Sequence, residues 1–327
     1  MKIDIVIPWV DGNDPEWQAV KSEYNPDEGT DTRVNRYRDW GILKYWFRGI
    51  EKFAPWVNKI HFITWGHVPE WLNVDQEKLN IVRHEDYIDK AYLPTFSSHP
   101  IELNMHRIKD LSEQFIYFND DMFVIRPVKP EDFFRDGLPV DTVTELPLRF
   151  NPGGVDHIIG NDMMIINKYF PKEQVTKLHK KKWFSLKSMK STMKNLYMKP
   201  VKGFSGFDNP HVPQAFLKST FEQVWDKERG LMEQTTSHRF RSNEDVNQWL
   251  MRYWQFVTGQ FVQVGDISGR FFSIGRDDES IADAIVKQQY NTICLSDDDT
   301  RLDFDSEQKL LIDLFETILP EKSSFEK

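Results

Sequence analysis

Short apolar runs alternate with helix-spaced segments along the first 125 residues, and this alternation constrains the fold more than any other feature. "IDIVIPWV" (3–10) reads as a strand that ends at the turn "DGNDP". Residues 37–52 carry Trp40, Leu43, Trp46, Phe47 and Ile50 at spacings of three and four, which predicts a helix. "KIHFITW" (59–65) and "NIVRH" (80–84) are the next strands. "HPIELNMHRIKDLSEQ" (99–114) reads as a helix with Pro100 in its first turn and Ser98 or His99 as cap. A last apolar run, "FIYFNDDMFVI", covers 115–125. Strands alternating with helices imply an α/β layer around a largely parallel sheet. Such sheets bind ligands beyond the carboxyl ends of their strands. "WVDGND", "ITWGH" and "NDD" all stand at those ends.

The last of these is the least comfortable in a strand. Asp is depleted from strands, and an unpaired buried charge is costly. Asp120 and Asp121 therefore either face water in a tight turn or face something positive. Paired hard oxygen ligands at a strand end suit Mg²⁺ or Mn²⁺, and such an ion binds pyrophosphate in turn. "WVDGNDPEW" is equally open. Asp-Gly and Asp-Pro are good turn chemistry, while the same loop could bring backbone N–H groups and Asp11 to a nucleotide. With no G-x-G-x-x-G and no Gly-Lys-Ser or Gly-Lys-Thr element, neither a dinucleotide cofactor nor a P-loop is supported.

Composition narrows the class. A net charge of −9 weighs against non-specific nucleic-acid binding. The single Cys294 excludes an intramolecular disulfide and fits a reducing compartment. Asp4 interrupts the short N-terminal apolar run, so it is not read as a signal peptide. Nowhere do about 18 apolar residues run together, so no spanning helix is expected. The expectation is a cytoplasmic protein, soluble or peripheral at a membrane.

The middle of the chain differs in character. Residues 172–202 hold ten Lys and one Glu, and Leu186, Met189, Met193 and Leu196 recur within them at spacings of three and four. This predicts a basic amphipathic helix, either a solvated face or a stripe for an anionic membrane surface or a polyanionic polymer, with its apolar side in the interface or on the core. Residues 219–257 read as mostly helical and 260–275 as strand-like. "NTICLS", the acidic turn "DDD" and an amphipathic helix through about Ile318 complete the chain. The expected organisation is an α/β lobe over 1–150, a mostly helical inserted lobe over 151–275, and a segment 276–327 that returns to the first lobe.

Three further groups carry chemistry. Glu102 and His106 stand four apart, as a structural pair on one helix face would. His211, in the loop "NPHVP", is either a surface residue or a general base. In "SHRFRSNED", Arg239 and Arg241 suit phosphate, whereas Glu244 and Asp245 equally suit a salt-bridged helix start.

Taken in order, "IDIVIPWVDGNDPEW", "RYRDWGILKYWFRGIEKFAPWVNKIHFITWGHVPEWL", "LPTFSSHPIELNMHRIKDLSEQFIYFNDDMFV", "NPHVPQAF", "SHRFRSNEDV" and "ICLSDDD" with a closing "SSFE" resemble the Stealth proteins. That family includes bacterial capsular-polysaccharide sugar-1-phosphate transferases and the animal GlcNAc-1-phosphotransferase. Trp65 and Ser296 depart from the animal enzyme, which has Asn at both places. The resemblance implies a Rossmann-like, GT-A-like layer that binds a nucleotide-diphosphate sugar, UDP-sugar favoured. It also implies transfer of sugar-1-phosphate to a saccharide or lipid-linked polysaccharide acceptor, with no nucleic-acid partner. On that reading Asp120 and Asp121 hold a divalent cation, Mg²⁺ first and Mn²⁺ second. His211 is the base, and Arg241 stabilises the transferring phosphoryl group. Trp9, Asp11, Gly12, Arg38, Asp39, Thr64, Ser97, Ser98, Glu102, Arg107, Arg239 and Glu244 form the substrate pockets. An ordinary glycosyltransferase releasing nucleoside diphosphate, or a non-catalytic carbohydrate-binding subunit, are the alternatives.

Overall fold

Residues 2–24, 37–149, 155–298 and 302–327 are described by the structure, a computed structural model. In chain order its strands are β1 Ile3–Pro8, β2 Ile60–Thr64, β3 Leu79–Arg83, β4 Gln114–Tyr117, β5 Met122–Val124, β6 Phe134–Arg135, β7 Leu138–Asp141, β8 Gln214–Leu217, β9 Val262–Gln263, β10 Gly269–Ser273 and β11 Thr292–Ser296. The main sheet has the order β3-β2-β1-β4-β8. Its first four strands are parallel and β8 runs antiparallel to β4. The expected α/β architecture with a largely parallel sheet is therefore the observed one.

The main sheet is buried on both faces, which is why its strands are continuous apolar runs without alternation. Along β1, Ile3, Ile5 and Ile7 enter one core with Trp46, Phe47, Phe62, Phe123 and Phe315. Val6 points to the other core, with Phe115, Tyr117, Phe216 and Trp254. The chain steps outward from β1 through β2 to β3, then returns to the far side of β1 as β4. The order of strands thus reverses between β1 and β4, and sheets of this kind bind ligands in the crevice beyond the carboxyl ends at such a point.

Two smaller sheets build on this layer. β5 leaves β4 after a four-residue turn and joins β10-β11-β5, where β11 is antiparallel to β5. β6-β7-β9 forms the third. The C-terminal segment returns to the first part of the chain. Phe315, on the helix Phe304–Ile318, packs on Tyr45 and Phe123, and Arg48 pairs with Glu326 through Nε at 2.8 Å. β8, drawn from the segment 151–275, is the edge strand of the main sheet. The boundary expected at 150 lies within 150–154, outside the described residues, as does the last Asp of the "DDD" turn, Asp299.

Several elements differ from their predicted extent. The helix expected over 37–52 begins at Leu43, because Gly41 adopts φ 67° and the Asp39 carboxylate accepts its N–H at 2.8 Å. The helix expected over 99–114 covers only Ser98–Leu103, capped by Ser97 and not by Ser98 or His99. Asn104 ends it by donating back to the Pro100 carbonyl at 2.8 Å, and a 3-10 turn, Met105–Arg107, follows. Glu102 and His106 therefore share no helix face. The lysine-rich segment is three helices, Lys172–Leu178, Lys180–Trp183 and Met189–Met198. Among the described residues no helix is long and apolar enough to cross a membrane.

Candidate active site

The turn between β4 and β5 is where the acids lie. Met122 N–H donates to the Asn119 carbonyl at 3.2 Å, closing a tight turn whose side chains open into the crevice. Strand register brings the histidine to them. Tyr117 on β4 pairs with Gln214 on antiparallel β8, so the chain before β8 runs back past the acids. His211 consequently meets Asn119, whose Nδ2 lies 3.2 Å from His211 Nε2, and its Nε2 is 3.7 Å from Asp121 Oδ2. Which of the two donates follows the imidazole tautomer, and a protonated imidazole there would also pair with Asp121. From the opposite side, the pairing of β11 with β5 sets Cys294 across from Met122. The Cys294 thiol donates to Asp121 Oδ2 at 3.3 Å.

A buried acid that is purely structural looks different. Asp4, on β1, accepts from Asn58 Nδ2 and Ser112 N–H, each at 2.7 Å, and faces His61 Nε2 at 3.3 Å. Burial opposes its charge, but those hydrogen bonds hold its carboxyl below the usual carboxylate range. In the crevice the balance is reversed. Burial pushes the Asp121 acid up, and His211 with the Cys294 hydrogen bond only partly offsets this. For Asp120, desolvation and then the Asp121 and Asp39 charges push the acid up to about 7, although its side chain opens to crevice solvent. That solvent blunts the desolvation, so the upward direction rests most firmly on the neighbouring like charges. Asp121 Oδ1 is buried, with no hydrogen-bond partner among the described residues. Unsatisfied acids that repel each other are what a cation corrects.

Asp121, His211 and Cys294 could together hold a metal ion, since they present one ligand atom each within 4.8 Å of one another. Burial and the Asp121 charge raise the Cys294 thiol well above its usual range, so it serves here as a neutral donor. A hard ion is better met by the Asp120 and Asp121 oxygens.

The comparisons with known proteins identify the family. Residues 1–29 match conserved region 1 of the Stealth proteins, and residues 36–140 match conserved region 2. The chain is 43% identical over 329 residues to the capsular polysaccharide phosphotransferase WcwK of Streptococcus pneumoniae, covering 100% of this chain and 98% of that one. The chain belongs to the Stealth family. It is a phosphotransferase by that membership. It is also 41% identical to the receptor polysaccharide phosphotransferase WefC of Streptococcus gordonii, over 99% of both chains. An exopolysaccharide phosphotransferase of Lactiplantibacillus plantarum is 38% identical, over 99% of this chain and 96% of the relative. Among solved structures, a galactosyltransferase bound to donor and acceptor sugar analogues aligns over 95% of both chains at 10% identity, with a TM-score of 0.39. That likeness is too slight to add to the sheet order.

The remaining predicted residues of this Stealth protein fall into three groups. Some lie on loops, near the carboxyl end of β1 or, for Arg239 and Arg241, beside the Ser98 helix. Asp11 follows β1, where its N–H donates to His67 Nε2 at 2.9 Å and its carboxylate accepts from Asn13 N–H. Asp39 feels the Asp11 charge, and burial first, then that charge, raises its acid. Arg38 pairs with Asp297 at 3.4 Å. Arg241 donates to Ser98 Oγ at 3.0 Å, beside Phe96, whose N–H donates to the Arg239 carbonyl. The Arg239 guanidinium lies over the Tyr24 ring at 4.8 Å.

A second group is engaged in holding the fold. Trp9 is buried against Phe62 and His67. Gly12 is required because a Cβ there would meet the Tyr37 carbonyl at 2.0 Å. Thr64 is buried and accepts from Gly66 N–H, and Ser97 caps its helix. Glu102 accepts from Tyr117 at 3.0 Å. A third group faces elsewhere. Arg107 lies on the Trp225 ring at 4.0 Å, under the charges of Arg229, Glu233 and Asp89. Exposed Glu244 accepts from Gln234 at 2.8 Å. The "SNED" run is a turn and not a helix start, since the next helix begins at Trp249.

Sequence reasoning missed the residues that position these groups. Arg252, fully buried, makes a two-pronged pair with Asp141 at 2.7 and 2.8 Å. Its Nη1 donates to the Asp208 carbonyl and to Asn209 Oδ1, both at 2.8 Å. It thereby clamps the loop that carries His211. A cavity of about 120 Å³ opens behind this loop, lined by Asp141, Pro210, Arg252 and Ser268 among others, and none of the crevice acids lines it. Asp245, also buried, meets His99 Nδ1 at 2.7 Å and His238 Nδ1 at 2.6 Å, tying the arginine loop to the helix of Ser98. Arg252 and Asp141 are 111 residues apart and His99 and Asp245 are 146, so no local signal could reveal those two pairs, whereas His238 and Asp245 both lie in "SHRFRSNED".

Proposed function

We propose that this Stealth protein moves hexose- or N-acetylhexosamine-1-phosphate from a nucleotide-diphosphate sugar, UDP-sugar favoured, to a saccharide hydroxyl. The product is a phosphodiester in capsular or exopolysaccharide synthesis. Kinship with polysaccharide phosphotransferases over the full chain supports the reaction class. The observation that carries the site reading is His211 Nε2 placed 3.7 Å from Asp121, whose buried Oδ1 has no hydrogen-bond partner among the described residues.

In this reading His211 takes the proton of the acceptor hydroxyl at Nε2 as that oxygen attacks the β-phosphorus. The new P–O bond forms while the bond from the β-phosphorus to the bridging oxygen breaks, and nucleoside monophosphate leaves with the electron pair. A divalent cation, Mg²⁺ by its preference for oxygen ligands, would bind Asp120 and Asp121 and offset pyrophosphate charge. Arg241, with Arg239 behind it, meets charge on the transferring phosphoryl group, for which a planar fork is suited. Asp11, Gly12, Arg38 and Asp39 border the donor side. The acceptor is a saccharide or a lipid-linked polysaccharide, met in the cytoplasm or at the inner face of the bacterial cell membrane.

Incubation with a panel of nucleotide sugars, a saccharide acceptor and Mg²⁺ tests this. Nucleoside monophosphate and a phosphodiester resonance by ³¹P NMR are expected. Nucleoside diphosphate with a phosphorus-free product would show glycosyl transfer instead. His211→Ala should abolish transfer while donor binding survives. An equal loss of donor affinity would move His211 into the donor pocket.

A further inference from the structure

Along the helix Met189–Met198 the inward face is mostly polar, with Met198 its one buried apolar side chain, and the other apolar side chains face out. Its polar residues Ser191, Thr192 and Asn195 are buried. Ser191 accepts from Thr144 at 2.6 Å and Thr192 donates to the Ser185 carbonyl at 2.8 Å. Asn195 accepts from Glu145 N–H and donates to the Val143 and Trp183 carbonyls. The opposite stripe is apolar and in solvent: Met189 is 54% exposed, Met193 65%, Leu196 52% and Tyr197 82%, with Leu186 just before the helix at 84%. Around it Lys187, Lys190, Lys194 and Lys199 are exposed, with no side-chain partner among the described residues. Lys172 and Lys182 differ, being engaged with Glu145 and with the Gly259 and Phe261 carbonyls.

We infer that residues 186–199 form a docking surface that seats this protein on an anionic lipid bilayer. A ten-residue helix is too short to span but suited to lie in the interface, apolar side down and lysines toward headgroups. Tyr197 is of the amphipathic type that collects at that depth. The chemistry selects lipid over other occupants. A polyanionic saccharide would use the lysines and leave five large apolar side chains in water. A second copy, docking by the same patch, would set lysine against lysine. None of these residues takes part in the reaction proposed above.

Flotation with phosphatidylcholine vesicles, with and without phosphatidylglycerol, tests the surface. Binding is expected only to the anionic vesicles. Changing Lys187, Lys190, Lys194 and Lys199 together to Gln should weaken it by at least about 100-fold at low salt. Met193→Ser with Leu196→Ser should weaken it by roughly tenfold or more. Tyr197→Trp should give blue-shifted emission quenched by brominated acyl chains. All these positions are exposed, so the variants should melt with the wild type and keep transfer to a short soluble acceptor. Absence of vesicle binding overturns the proposal. So does binding that depends on the lysines but neither on Met193 and Leu196 nor on Trp burial, which would mark a polyanion site. A wild-type dimer in sedimentation that Leu196→Ser dissociates would make the face a subunit contact, and also overturns it.

Discussion

The crevice turn and the lysine-rich helix break the same rule in opposite ways. At 119–121 carboxylates sit among buried strands, and protein groups leave them partly unpaired. At 189–198 Asn and Ser are buried and Leu and Met are in water, yet the buried polar atoms are fully engaged. Satisfaction is what separates them. Asn195 is inside because the backbone at Val143, Glu145 and Trp183 needs partners that apolar side chains cannot supply. Asp121 has one oxygen buried that no described residue answers, and a site of that kind awaits a ligand.

The comparison can be broken by substitution, beginning with the largest effect. Arg252→Ala strips the partner from buried Asp141 and unclamps the His211 loop. It should cost roughly 3–5 kcal/mol of stability, read by denaturant unfolding. A loss below about 1 kcal/mol would show that this pair is not essential to the loop. Asp121→Asn or Asp120→Asn should lower turnover at least ~10²-fold, about 2.7 kcal/mol of barrier, with the melting temperature kept or raised. Wild-type turnover and unchanged metal titration would remove that residue from the ligand set. Asn195→Ala should destabilise by about 1–3 kcal/mol, because backbone groups are left buried and unpaired. Met193→Ser, one residue pair away on the same helix, should stay within ~0.5 kcal/mol of wild type. If Met193→Ser cost more than Asn195→Ala, the helix would be seated the ordinary way round.

Local signals explain what could be read in advance. The β1 to β4 runs are apolar because both faces of the sheet are covered, so they stood out without alternation. The acids and His211 were visible because Asp in an apolar run and His between prolines are unusual where they occur. The extent of the helices was less legible. Gly41 and Asn104 act through φ and through a side-chain bond to the backbone, and they override periodicity within a turn.

The sequence by itself determined the element types, the strand ends at which ligands collect, and the acids of the turn, since these follow from composition over a few residues. It also determined the helical spacing at 189–198, but not the side that faces inward. Tertiary structure alone decided that side, because the need of the 143–145 backbone for donors and acceptors is invisible from the helix. It likewise decided that His211 and Cys294 both meet Asp121, through the β4–β8 and β5–β11 registers. Asp141 with Arg252 and Asp245 with His99 belong to the same class. Each joins residues far apart in the chain, and a hydrogen bond across that distance leaves no pattern at either end.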